Sequence, residues 1–240
     1  MLSTPHIPQP DSHFQARLDA VRARVARAAG TAGRDPATIA VLAVSKGQPA
    51  SRLREALALG VTAFGENYVA EALPKLQELS GLGITWHFIG RLQANKTRQI
   101  ATHFDWVHGL DRLDIARRLS EQRGHFAAPL DVCVQVNVLG EASKGGIAPG
   151  DVPAMIEALR VLPRLRLRGL MCMLPYGASD GLQHEGFGRL RQLRDDAVAA
   201  GIPLDTLSMG MSDDLEAAVA EGATILRIGT ALFGARSGAG

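Results

Sequence analysis

Only four of the 26 basic residues are lysines, Lys46, Lys75, Lys96 and Lys144, so an amine nucleophile has few places to sit in this chain of 240 residues. Lys46 has the surroundings that chemistry would need. It closes the apolar run IAVLAVSK, residues 39 to 46, and shares a face with Leu42 and Val44 by the two-residue period of a strand. An amine flanked by that face loses hydration, which disfavours the ammonium form and yields the free base that attacks an aldehyde to form a Schiff base. The alternative is a lysine that reaches solvent from a strand end.

Two segments near the C-terminus could bind an anion. LSMGMSDDLEAAVAEG passes through a glycine turn into a helix with Ser212 as its expected N-cap, ahead of Asp213 and Asp214. RIGTALFG leads through Gly229 and Thr230 into a short helix that Gly234 can end. Amides left unpaired at two helix starts, with the positive end of each dipole, suit a phosphate; simple capping accounts for the same residues. Arg227 lies between Leu226 and Ile228, where a buried guanidinium needs a partner, either a carboxylate or a ligand's ring nitrogen. Other polar residues stand where strands give way to loops: Asn67, His87, Arg91, Gln93, Asn137 and Lys144. For His87 and Asn137 a satisfied hydrogen bond in the core is an equal reading, and Asn95 and Lys96 can simply begin a helix.

The elements that must position these residues alternate. Eight short apolar runs read as strands, at residues 39–46, 62–67, 84–90, 104–110, 130–138, 165–173, 204–210 and 223–229. Between them lie amphipathic segments such as PASRLREALALG and DRLDIARRLSEQRG, stopped by Gly60 and Gly124. Repeated βα units with strands buried on both faces predict a parallel α/β fold, a single (β/α)8 TIM barrel, whose functional residues gather at the C-terminal ends of the strands. In such barrels a phosphate often sits after strands seven and eight. A doubly wound open sheet is the alternative, but no G-x-G-x-x-G or Walker A loop follows any strand. An extra N-terminal helix is predicted from Ser12, with Gln15 completing a capping box and Phe14, Leu18, Val21 and Val25 on one face. The domain organisation expected is a flexible tail over residues 1–11, one barrel over 12–236 and a short tail over 237–240.

Composition narrows the function classes. With 46% hydrophobic and 21% charged residues the chain can bury a sizeable core, and 26 basic against 24 acidic residues give a net charge of +2, too small to demand a nucleic acid or a membrane surface. Cys133 and Cys172 each sit in an apolar run, which argues against a disulfide framework or a thiolate metal site and points to a reducing cytoplasm. No segment reads as a signal peptide or a membrane span.

A lysine after strand one, a phosphate cradle after strands seven and eight and an arginine between them suit an aldehyde that carries a phosphate, a description that pyridoxal 5'-phosphate (PLP) meets. LAVSKGQP, FGENYVAEAL, WHFIGRLQANK, LRLRGLMCM, LSMGMSDDLEAAVAEGAT and RIGTALFGAR, in that order over about residues 14 to 236, make the chain resemble the pyridoxal phosphate homeostasis protein family. The resemblance implies a barrel like the N-terminal domain of alanine racemase, with PLP held as an internal aldimine on Lys46. It also implies phosphate contacts from Ser208, Gly210, Met211, Ser212, Gly229 and Thr230, and Arg227 facing the pyridine nitrogen; Asn67 and His87 are expected to line the same mouth from their places at strand ends. The role implied is PLP homeostasis and amino-acid balance, without a demonstrated catalytic turnover; beside it, no metal is expected, and the expected protein is a cytoplasmic monomer that passes PLP to apoenzymes.

The residues bear on catalysis independently. A guanidinium hardly gives up its proton, so Arg227 would leave the ring nitrogen unprotonated and weaken the cofactor as an electron sink. Racemases of this fold add a C-terminal β-domain that supplies a tyrosine base, whereas this sequence stops at Gly240 and has only Tyr68 and Tyr176. A carrier is therefore expected over a racemase or lyase of the same fold, a cofactor-free Schiff-base aldolase, or a purely structural barrel.

Overall fold

The computed structural model describes residues 12–141 and 144–234. Eight parallel strands close into a barrel in sequence order, with β8 paired back onto β1. They are β1 (Ala40–Val44), β2 (Ala63–Glu66), β3 (Thr85–Phe88), β4 (Trp106–Leu110), β5 (Leu130–Gln135), β6 (Leu165–Met171), β7 (Thr206–Ser208) and β8 (Ile225–Ile228). All eight expected strands exist, and each is shorter than its apolar run. The ladder ends where a backbone leaves its neighbours, before the hydrophobicity ends. Lys46, Asn67, Gly210 and Gly229 consequently lie in loops just beyond strand ends, at the C-terminal mouth of the barrel.

Helices α1 (Ser12–Thr31), α2 (Ala50–Ala58), α3 (Val69–Glu78), α4 (Thr97–His103), α5 (Leu113–Gln122), α6 (Val152–Arg160), α7 (Asp180–Ala199), α8 (Leu215–Ala220) and α9 (Thr230–Phe233) cover the outside. Their apolar faces meet the outward side chains of the strands, as where Phe88 on β3 packs edge-on against Phe104 after α4 at 5.3 Å. None of these described helices is long and apolar enough to cross a membrane. The expected tails, residues 1–11 and 237–240, lie outside the described residues.

The extra N-terminal helix has a definite task. Phe14, Leu18, Val21, Val25 and Ala29 are buried along one face of α1. Phe14 meets Phe233 of α9 at 5.3 Å, and Arg17 Nε donates to the Leu232 carbonyl at 2.9 Å. Thus α1 holds α9, and with it the turn at Gly229, in place. The Gln15 side chain donates to Asp19 at 2.9 Å; the Ser12 side chain, the other half of the expected capping box, lies outside the described residues.

The N-terminal end of the barrel is closed by charge. Asp131 receives Arg166 and Arg168, Arg168 also binds Asp205 at 2.7 Å, and the Arg168 guanidinium stacks 4.8 Å above the Trp106 ring. Such pairing at this face serves stability, opposite the mouth, the face where barrels of this kind carry their functional residues.

Candidate functional site

At the mouth, Lys46 shares one small cavity with Gly229 and Thr230. The cavity holds about 180 Å³ and is lined also by Val44, Gln48, Phe233 and Gly234. Lys46 occupies a turn two residues beyond β1 and is half-buried. The two-residue period that put it with Leu42 and Val44 holds, because Val44 and Lys46 face the same space. Thus the lysine after strand one and the turn after strand eight, 183 positions apart in the chain (Lys46 to Gly229), are brought together by the pairing of β1 with β8.

The two expected helix starts are built differently from each other. The segment after β7 does not enter its helix at Ser212: α8 begins at Leu215, and Asp214 folds back so that its Oδ1 accepts the Met211 amide at 2.5 Å. Burial pushes the Asp214 carboxyl above its usual range, and the Met211 amide opposes that shift. Ser212 instead accepts the Ala231 amide of α9 at 3.3 Å, so it caps the neighbouring turn rather than its own helix. This corrects the simple N-cap expectation: an acid three residues after Met211 closes its own turn and frees Ser212 to link the two. In α9 the Leu232 and Phe233 amides both return to the Gly229 carbonyl at 2.9 Å. The Thr230 amide has no hydrogen-bond partner among the described residues and borders the Lys46 cavity.

Arg227 crosses the barrel interior. Its Nη1 donates to the Ser208 carbonyl at 2.6 Å and the Ser208 hydroxyl at 2.8 Å, and Nη2 donates to the Cys172 carbonyl at 2.8 Å. No carboxylate of the described residues lies within ion-pair distance, so the carboxylate partner weighed from the sequence is replaced by carbonyl and hydroxyl oxygens. Burial lowers the pKa of this guanidinium, while Cys172 and Asp214 pull it the other way. Burial likewise pushes the Cys133 and Cys172 thiols up, the latter to about 12, so neither is a nucleophile.

The bond from Arg227 continues through the barrel centre. His108 on β4 touches Ser208 on β7 at 2.7 Å through its Nδ1, a contact between strands that are not neighbours, and its Nε2 meets Nδ1 of His87 on β3 at 2.9 Å. The Ser208 hydroxyl accepts from Arg227, and its own hydrogen finds no acceptor among the described residues except His108 Nδ1, so satisfying it makes His108 Nδ1 the acceptor and its Nε2–H the donor to His87. The order of donors is thus Arg227, Ser208, His108, His87, with both rings neutral. Burial drives His87 down to about 3 and His108 well below its usual value, where the His87 and Arg227 charges add to the effect. His87 also stacks on Trp106 at 5.3 Å. It belongs to the buried column and does not line the Lys46 cavity.

The remaining expected residues divide. Gly210 and Met211 form the turn after β7, and the Gly210 carbonyl accepts the Arg227 amide at 2.9 Å. Asn67 follows β2, half-buried, with its Oδ1 buried and unpaired. Asn137 bonds its own loop, donating to the Glu141 carbonyl at 2.8 Å and accepting the Glu141 amide at 3.1 Å. Arg91 and Lys144 line a separate opening of about 460 Å³ over β3 to β5, with Asp111 and Gln135. Asn95 and Lys96 belong to a single helical turn before α4. Tyr68 and Tyr176, 64% and 89% exposed, point no ring into the Lys46 cavity.

Sequence reasoning missed Ser45, Glu66, Glu71 and Lys75 behind the Lys46 turn, and His108 and Asp214. His108 was within reach: it stands two residues from Trp106 in a strand, on the same inward face. Glu71 and Lys75, four apart on a helix, carried a weaker signal.

The chain is similar to known proteins in sequence and in fold. Residues 16–237 match the family model described as alanine racemase, N-terminal domain. The pyridoxal phosphate homeostasis protein of Pseudomonas aeruginosa is 61% identical over 216 residues, 90% of this chain and 93% of that protein. The protein of the same name in Escherichia coli is 47% identical, over 91% of this chain and 95% of that one. The structure of PipY from Synechococcus elongatus with PLP bound superposes with a TM-score of 0.81 at 38% identity, covering 92% of this chain and all of that one. Alanine racemase of Corynebacterium glutamicum shares the fold at a TM-score of 0.66 and 18% identity, this chain spanning 63% of its length.

Proposed function

The chain belongs to the pyridoxal phosphate homeostasis protein family, built on the alanine racemase N-terminal domain, and from that membership we propose that it binds PLP as a Schiff base on Lys46 and acts in cytoplasmic PLP homeostasis as a carrier. The observation that carries the reading is the cavity shared by Lys46, Gly229 and Thr230. Its donors match the two ends of such a ligand: an amine for the aldehyde, and the open Thr230 amide for the phosphate. The turn of Gly210, Met211 and Ser212 after β7 is tied to the α9 turn by the bond from the Ala231 amide to Ser212 Oγ, which supports a share for it in the phosphate site through groups other than the Met211 amide, already bonded to Asp214; Asn67, with its unpaired Oδ1, offers a further polar contact. Arg227, buried without a contacting carboxylate, directs its remaining N–H groups to the ring nitrogen. His87 acts from behind, through His108 and Ser208.

Bound PLP supplies an electrophilic aldehyde that is transferable to other amines. The chain's own contribution is to hold it without taking it further. Neither tyrosine lines the Lys46 cavity, and the buried histidines are neutral and bonded to each other, so among the described residues no second base stands beside Lys46 to remove a substrate proton. The partners that follow are PLP-dependent apoenzymes receiving the cofactor from a monomer. The test is to soak the purified protein in PLP, record its visible spectrum, reduce it with borohydride and map the adduct. The adduct is expected on Lys46 and lost in Lys46→Ala. An adduct elsewhere, or turnover of L- or D-alanine, serine or threonine above that of free PLP, overturns the reading.

A further inference from the structure

We propose that Lys75 and Glu71 are positioning residues for Lys46, fastening the turn that carries it on both sides. This rests on the reading of Lys46 as the cofactor-bearing amine. Lys46 stands between Ser45 and Gly47, and each neighbour is tied to one buried cluster. The Ser45 hydroxyl donates to Glu66 Oε1 at 2.6 Å, and the Ser45 carbonyl accepts from Lys75 Nζ at 2.9 Å. On the other side the Gly47 amide donates to Glu71 Oε1 at 2.5 Å, with Gly47 at φ +73°, where a side chain would be strained. Lys75 joins the two halves, donating to Glu66 Oε1 at 2.8 Å and Glu71 Oε1 at 2.6 Å.

An ammonium has three N–H groups, and all three of Lys75 are used. One buried cation therefore binds the exit of β1, the end of β2 and the first turns of α3. None of these bonds touches the Lys46 side chain, which lies in the cavity with Gly229 and Thr230. The cluster fixes where the Lys46 backbone stands and leaves its amine free. The same saturation removes Lys75 as a rival carrier despite its nearness to the turn. Glu66 is wholly buried with Oε2 unpaired, and burial raises its pKa against the pull of Lys75, so Lys75 is also what makes that carboxylate tolerable. Glu71 is one-third exposed and can be removed without leaving a buried charge unpaired.

The experiment compares the wild type with Glu71→Ala and with the neutral pair Glu66→Gln/Lys75→Met. Amide hydrogen exchange is read over residues 45–48 without ligand, and PLP is then titrated, with visible absorption and the borohydride adduct on Lys46 as readouts. The proposal expects exchange at Gly47 to quicken in Glu71→Ala while α6 is unchanged, and PLP to bind roughly tenfold more weakly. Unchanged exchange at Gly47 overturns it, and so does faster exchange with undiminished PLP affinity. If the neutral pair fails to fold, Glu71→Ala decides alone. A wild type that takes no PLP on Lys46 sinks the proposed function instead, and the exchange comparison still judges the fastening.

Discussion

The neutral histidine pair at the barrel centre makes stability fall in mild acid, and the amount can be worked out for His87. In an unfolded chain histidine titrates near 6.5. In the fold burial pushes His87 down to about 3. Below pH 6.5 the unfolded state therefore takes up a proton that the folded state refuses, so stability is fully present above 6.5 and is lost as pH falls from there towards about 3. The slope approaches 1.4 kcal/mol per pH unit, which gives about 2 kcal/mol between pH 7 and pH 5 for this one residue. His108 shifts in the same direction and adds to the loss. Urea unfolding without added ligand at the two pH values, for wild type and for His87→Gln, isolates the effect, because the carboxylates common to both proteins cancel. The pH-dependent loss is expected to be about 2 kcal/mol smaller in the variant. An identical loss in both proteins would refute the claim that His87 is held neutral.

Nitrogen-15 NMR of the imidazoles at pH 7 is expected to find both His87 and His108 protonated at Nε2, as the donor order from Arg227 requires; an Nδ1–H on His108 reverses that chain. Phe14→Ala empties a wholly buried site against Phe233 and is expected to cost about 3 kcal/mol in chemical unfolding, with weaker retention of PLP because α9 loses its support. Gly169→Ala would set a methyl 1.8 Å from the Thr206 carbonyl oxygen, a backbone clash that parts β6 from β7. That variant is expected to lack a cooperative thermal transition by circular dichroism, whereas a normal melt would mean the two strands can separate cheaply.

What the sequence by itself determined was the periodic part of the molecule. Alternating β-branched runs and amphipathic segments specify eight βα units, and a parallel sheet of eight with helices outside has a barrel as its closed form. That frame placed Lys46, Gly210 and Gly229 at the mouth, since each follows a strand end. It also made Arg227 an inward residue of β8 in want of a partner. Tertiary structure alone decided who that partner is. The oxygens on Ser208 and Cys172 come from the end of β7 and the residue just after β6, 19 and 55 positions away, and nothing local in RIGTALFG points to them. The same holds for the histidine column, where residues of β3, β4 and β7 meet only because the sheet closes, and for the Ser212 hydroxyl, which caps a helix other than its own. It holds most of all for Lys75, which the sequence offers only as one of four amines. Burying it beneath Ser45 required β1, β2 and α3 to converge, and hydrogen bonding in a space closed to water is what then fixed all three of its protons.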